Sequence, residues 1–214
     1  MSNLLLERSA QMARHPLLPR EYQQVEYIES TGTQWIDTGI FPVVTSTYTI
    51  QTRFCPTNTS GEQYLIGADS NNASGVSKSR FTGVGWYQGR FLFGWCNWSQ
   101  GLFLEKDTWY AVSESFFNGD QNVVLNNEQA YNKQWTQSSA FLSNIKLFSS
   151  NIDGIAFNAK SKISKTKIVV NDTIVRDYIP CYCKQSNEVG MFDISNRRFY
   201  SSAASPLLYG PEID

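Results

Sequence analysis

The chain has 214 residues and a formal net charge of -1, from 18 Lys plus Arg against 19 Asp plus Glu; 41% of its residues are hydrophobic. That balance gives no electrostatic reason to bind nucleic acid, and no apolar run approaches the ~20 residues that span a bilayer. The length suits one all-β domain, and the Leu4-Leu5-Leu6 block is too short for the core of a secretion signal.

Residues 1–19 stand apart from the rest. Asn3 to Ala13 contains helix formers and neither Gly nor Pro, with Ser2 placed to cap the start and Pro16 and Pro19 placed to end it. A helix of about eleven residues is marginal alone in water, so Leu4, Leu5, Leu6 and Met12 need a surface to cover them. The spacing predicts an anchor segment over 1–19, helical or extended, ahead of a domain over 20–214.

Beyond Arg20 the signals are β throughout. Strand-favouring residues occupy Tyr22 to Ile28 and Gln34 to Asp37, with turn formers Ser30, Thr31 and Gly32 between them. Thr45 to Phe54 alternates Tyr48, Ile50, Thr52 and Phe54 against Thr47, Thr49, Gln51 and Arg53, the pattern of a half-buried strand. Tyr64 to Gly67 is a short buried run, and 69–79 reads as a polar loop. Arg80–Tyr87 and Arg90–Trp95 flank Gln88-Gly89 as a hairpin. Further strands are expected over Thr108–Phe117, Asn122–Leu125, Phe141–Phe148 and Lys167–Arg176, with turns at Asn126-Asn127 and Asn171-Asp172. Short strands about ten residues apart, with no helical stretch after residue 20, predict two packed antiparallel sheets.

Two distant phrases carry a family resemblance. The first runs from Leu18 and Pro19 through Val25-Glu26-Tyr27-Ile28-Glu29-Ser30-Thr31-Gly32-Thr33-Gln34-Trp35-Ile36-Asp37-Thr38-Gly39. The second is Val175-Arg176-Asp177-Tyr178-Ile179-Pro180-Cys181-Tyr182, followed by Gly190-Met191-Phe192-Asp193 and Phe199-Tyr200. Together they resemble the two ends of the LamG-like, concanavalin A-like lectin/glucanase jelly-roll module found in phage and prophage virion proteins. The resemblance covers about residues 18–204 and implies a two-sheet antiparallel jelly-roll sandwich. It says less about task, since the scaffold serves many functions. Trp35 stands where the family usually has tyrosine and is expected in the core. Arg176 and Asp177 are expected to form a structural ion pair or an edge contact.

The chemistry needed for catalysis is not visible. Glucanases of this fold carry Glu-x-Asp-x-x-Glu on one strand, and no such triplet occurs here. The one histidine, His15, lies in the N-terminal segment, so an acyl-transfer relay inside the sandwich lacks its base. Cys181-x-Cys183 is too tight for a zinc hook, and Cys55, Cys96, Cys181 and Cys183 read as free structural thiols. Asp69-Ser70-Asn71-Asn72 and Asn118-Gly119-Asp120 are oxygen-rich but lack the spacing of a dedicated calcium loop. No metal and no cofactor are expected.

For recognition, the richest stretch is Trp86 to Trp98. Alternation sends Phe91 and Phe93 to one face and Leu92 to the other, leaving Tyr87 and Trp98, beside turns, as the exposed rings. With Asn97 and Arg90 they form the expected glycan site. These readings converge on a non-enzymatic phage virion structural protein, a head fibre, capsid decoration or tail appendage. Its Leu4, Leu5, Leu6 and Met12 would anchor it to other virion proteins, and its lectin-like domain would be available to host surface glycans. A homo-oligomer is expected, with no nucleic-acid or membrane partner. The alternatives are a soluble carbohydrate-binding module and, behind it, a polysaccharide-degrading enzyme.

Overall fold

The structure is a computed structural model that describes residues 18–70, 80–95, 98–127, 129–134, 141–152 and 155–213. The anchor residues Leu4, Leu5, Leu6 and Met12, the expected loop beyond Ser70, and Asn97 lie outside the described residues. In chain order the strands are β1 (Tyr22–Gln24), β2 (Ile28–Thr31), β3 (Ile36–Asp37), β4 (Tyr48–Pro56), β5 (Glu62–Ser70), β6 (Arg80–Tyr87), β7 (Arg90–Trp95), β8 (Trp98–Phe103), β9 (Tyr110–Phe117) and β10 (Asp120–Leu125). They continue as β11 (Gln129–Gln134), β12 (Lys146–Leu147), β13 (Ser149–Ile152), β14 (Ile155–Asn158), β15 (Lys160–Val170), β16 (Thr173–Cys183), β17 (Val189–Asp193), β18 (Arg198–Ser201) and β19 (Leu208–Tyr209).

The larger sheet runs β11-β10-β9-β4-β15-β16-β17-β18, with β1 beside β16 and β2 between β15 and β19. The smaller runs β13-β14-β5-β6-β7-β8, with β12 joining β3 to β5. Pairing is antiparallel apart from the contact of Asn158 with Tyr64. The protein is an all-β, two-sheet antiparallel jelly-roll sandwich of the concanavalin A-like type, as the sequence predicts. Among the described residues no helix is long and apolar enough to cross a membrane.

Local chemistry explains the hairpins. Gln88-Gly89, Asn118-Gly119, Asn126-Asn127 and Asn171-Asp172 all have positive φ at both central positions. Those are the turns whose twist matches paired strands, and Asn, Asp and Gly tolerate them best. The alternation of β4 holds: Tyr48, Ile50, Thr52 and Phe54 are buried while Gln51 and Arg53 are exposed. Trp86 is fully buried, stacked on Phe54 at 6.2 Å, and its indole N–H donates to the Asn58 carbonyl at 3.1 Å. Gly83 and Gly85 let β6 press against β5, since a Cβ on Gly85 would come within 2.3 Å of the Gln63 carbonyl oxygen.

Three expectations change. Trp35 is only partly buried; Ile36 takes the inward position and Trp35 lies under the Lys146 ammonium at 5.4 Å. The strand expected over Phe141–Phe148 shrinks to β12, and a positive φ of 64° at Phe148, whose ring stays buried, separates it from β13. Arg176 and Asp177 part company: Arg176 pairs with Asp193 at 3.6 Å, and Asp177 with Lys167 at 3.7 Å. Successive strand side chains point to opposite faces, so the two side chains turn to different partners.

A second apolar cluster lies on the outer face of the larger sheet. Leu18 packs with Ile179, Cys181 and Phe192, and Tyr22 stacks on Phe199 at 5.1 Å. Leu18 thus belongs to the sandwich, two residues before the expected domain boundary at 20.

Candidate functional site

The outer face of the larger sheet is set by the phase of its strands. On β4 the residues that alternate with the core are Thr49, Gln51 and Arg53. Register carries that face across neighbouring strands: Thr49 is opposite Ser115, Gln51 opposite Ser113, and Arg53 opposite Ala111. Ser115 is opposite Asn122, and Asn122 opposite Asn132. On the other side Gln51 is opposite Lys167, and Lys167 opposite Asp177. Around Gln51, Ser113, Ser115, Asn122 and Asn132 this face is therefore uncharged and rich in amides and hydroxyls, each able to donate and accept.

Two shallow grooves lie on it. The first, about 440 Å³, is lined on the outer side by Thr47, Ser115, Asp120, Asn122, Asn132 and Gln134, with the ring of Phe117 46% exposed at its edge. The second, about 340 Å³, lies over β4, β9 and β15, where Gln51, Ser113, Asn127 and Asp177 accompany three cations, Arg53, Lys165 and Lys167. The serines at 113 and 115 are two residues apart on β9, so the grooves are neighbours at a spacing of roughly 7 Å.

The cations of the second groove are not equivalent. Lys167 is neutralised by Asp177 at 3.7 Å. Arg53 and Lys165 are directly opposite one another in register, which brings their Cβ atoms within about 4.5–5.5 Å. Neither forms an ion pair with a carboxylate among the described residues. Like charges in that position cost stability unless something lies between them. The Arg53 guanidinium is held over the Trp109 ring at 4.8 Å; Trp109 leans on Tyr27 at 5.9 Å, and Lys162 covers Tyr27 at 4.8 Å. This ladder of cations and rings borders the groove at its Arg53 end.

The residues singled out from sequence are brought together only in part. Tyr87 is exposed, as expected, and closes the β6–β7 hairpin opposite Arg90. Arg90, however, lies over the half-exposed ring of Phe103 at 4.0 Å. Trp98 is opposite Gly94, at the far end of β7 from Arg90, so roughly 13 Å of strand separates the two backbones. The structure thus brings Tyr87 and Arg90 together and sets the Trp98 backbone apart from them; the side chain of Trp98 and all of Asn97 lie outside the described residues. It gathers Gln51, Arg53, Ser113, Asn127, Lys165 and Lys167, which sequence reading missed as a group. One signal was available: β15 carries Lys160, Lys162, Lys165 and Lys167 within eight residues.

Other titratable groups are structural. Glu114 is 1% exposed in the core, where burial pushes its carboxyl up to about 8, opposed only by the hydrogen bond that Gln121 donates at 2.5 Å. Cys55, Cys181 and Cys183 are free thiols. Burial pushes Cys181 up to about 12 and raises Cys55, which makes both poor nucleophiles. Cys183 is lowered by its hydrogen bond with the Ser186 side chain.

No protein-family model matches the chain, and no curated protein matches it in sequence. Its similarities are to solved structures. A candidate carbohydrate-binding protein from Bacteroides ovatus superposes with a TM-score of 0.54 at 11% identity, over 89% of this chain and 62% of that one. The chain thus spans less than two thirds of that neighbour. A heptameric SAP-like pentraxin from Limulus polyphemus gives 0.48 at 9% identity, over 89% of this chain and 94% of that one. Domains LG4-5 of the mouse laminin alpha1 chain give 0.45 at 13%, over 73% and 43%. At these identities the likeness is one of fold.

Proposed function

We propose that the chain is a non-enzymatic carbohydrate-binding module that recognises glycans on the outer face of its larger sheet. The observation that carries this reading is the pair of adjacent grooves lined by Asn, Gln, Ser and Thr side chains, with Phe117 exposed beside one and Trp109 beside the other. Ligand sites need a few convergent polar groups and an apolar surface, and a sugar ring presents hydroxyls at its edge and C–H groups on its face. The carbohydrate-binding description of the Bacteroides neighbour supports the same direction.

The resemblance of the two end phrases to virion modules supports a place for the protein as a phage head fibre, capsid decoration or tail appendage. In that setting residues 1–19 join the domain to other virion proteins, copies assemble as a homo-oligomer, and the sheet face is presented to host glycans.

A glycan array of neutral and acidic oligosaccharides, followed by titration calorimetry, tests the binding reading. Binding of at least one glycan in the micromolar range is expected, weakened about tenfold by Asn122→Ala with Asn132→Ala or by changes in the second groove. An array with no binder in any class would sink the reading. Release of oligosaccharide products from a bound polysaccharide would replace it with an enzymatic one.

A further inference from the structure

We infer that the second groove takes an anionic sugar, with a carboxylate or sulfate held between Arg53 and Lys165 and the neighbouring hydroxyls on Gln51, Ser113 and Asn127. The inference rests on the glycan-binding reading and adds the chemical class of the ligand.

Two neighbouring cations on the same strand as Lys165 have a carboxylate across from them. Lys162 is opposite Glu29 in register, and Lys167 meets Asp177 at 3.7 Å. Arg53 and Lys165 are opposite each other instead, and on its other side Arg53 meets Ala111, which offers no charge. Two cations facing across strands without a carboxylate repel, and an anion between them converts that repulsion into two charge-assisted hydrogen bonds. The groove has room for that anion, about 340 Å³ directly over the pair. Arg53 is also oriented beforehand: its guanidinium rests on Trp109 at 4.8 Å. A planar fork already held in place loses less freedom when it grips an acidic group. Lys165, exposed and without an ion-pair partner among the described residues, supplies the second, mobile charge.

The remaining lining favours sugar over nucleic acid. Gln51, Ser113 and Asn127 are uncharged donors and acceptors suited to hydroxyl groups, and Asp177 is a further acceptor at the edge. A phosphate backbone is followed by a track of many cations, whereas this groove offers one open pair on a chain of net charge -1.

The test uses the full chain and a panel of acidic oligosaccharides: oligogalacturonate, oligoalginate, hyaluronan, chondroitin sulfate and sialyllactose. Each is titrated beside its methyl-esterified or desulfated counterpart, with neutral xylan and dextran oligosaccharides and an oligothymidylate as further arms. The expected result is that an acidic glycan binds best, that neutralising it weakens binding about tenfold or more, and that rising salt weakens it further. The two kinds of counterpart tell carboxylate from sulfate. Arg53→Gln with Lys165→Gln should abolish the preference for the acidic form; Lys165→Gln alone, at an exposed position, should weaken it about tenfold in a protein that folds normally. Equal binding of acidic and neutralised forms overturns the inference and leaves the glycan reading standing, as does acidic binding untouched by both substitutions. Tighter binding to oligothymidylate than to any glycan overturns the inference by giving the groove to nucleic acid. No glycan binding at all overturns both readings.

Discussion

The Arg176 guanidinium lies 3.6 Å from the Asp193 carboxylate across the β16–β17 pair, and the two residues tie three segments together. Arg176 Nε donates to the Thr38 carbonyl at 2.9 Å, which fixes the chain just after β3. Asp193 is fully buried and accepts from the Asp177 amide at 2.9 Å and from the Ser195 amide and hydroxyl at 3.0 and 2.7 Å. Removing one partner leaves the other buried and uncompensated.

Asp193→Ala should accordingly cost about 3–5 kcal/mol in urea unfolding. Asp193→Asn retains an oxygen for the three donors and should cost visibly less. Equal losses for the two would show that the carboxylate charge, not its accepted hydrogen bonds, holds this corner.

Trp86→Ala should destabilise by about 3–5 kcal/mol, because it empties a fully buried site stacked on Phe54. Trp35→Ala should cost about 1 kcal/mol, since that ring is partly exposed and loses chiefly its contact with Lys146. The reverse ranking in denaturant would contradict the assignment of inward and outward faces along β3.

Glu114 predicts a pH dependence. Its carboxyl titrates near 8 in the folded chain because burial disfavours the charge, against an ordinary value of 4.5. The folded state then holds a proton that the unfolded state releases, so the contribution is fully present at acid pH and is lost as pH rises between those values. The slope there should approach about 1.4 kcal/mol per pH unit. Glu114→Gln cannot ionise and should flatten that slope, which unfolding measured at several pH values will reveal. An unchanged slope would assign the dependence to another group.

Deleting residues 1–17 should leave a folded sandwich, because Leu18 and Tyr22, which cover Ile179, Cys181 and Phe192, remain. Under the proposed virion role, particles grown with the truncated protein should no longer carry it. Undiminished incorporation, scored by antibody on purified particles, would remove the anchoring role of Leu4, Leu5, Leu6 and Met12.

Much of the fold was legible because its signals are local. The Asn- and Gly-containing turns and the alternation along β4 act within a few residues, and the structure keeps them. Trp35 misled because Ile36–Asp37 is too short a strand for alternation to fix its phase, and one apolar residue there must yield the core to its neighbour. The backbones of Arg90 and Trp98, expected together at the glycan site, lie apart for a different reason. Arg90 and Trp98 are close in sequence, yet the β7–β8 hairpin turns back between them, so Arg90 meets Phe103 instead. The lysines of β15 were visible in sequence, but the groove they share with Arg53 was not, because no local pattern reveals which distant strands will lie side by side.

Two of the strands that line the cationic groove are far apart in the chain: the Thr52 hydroxyl donates to the Lys165 carbonyl across 113 residues. Hairpins such as β6–β7 and β9–β10 close locally, within microseconds in isolation, whereas joining β4 to β15 must first bear the entropy of a very long loop. High contact order of this kind belongs to slow folders. Arg53 and Lys165 therefore meet only when the two halves of the chain have docked. A ligand held between them selects the finished topology and stabilises it by mass action, without touching any earlier species on the folding route.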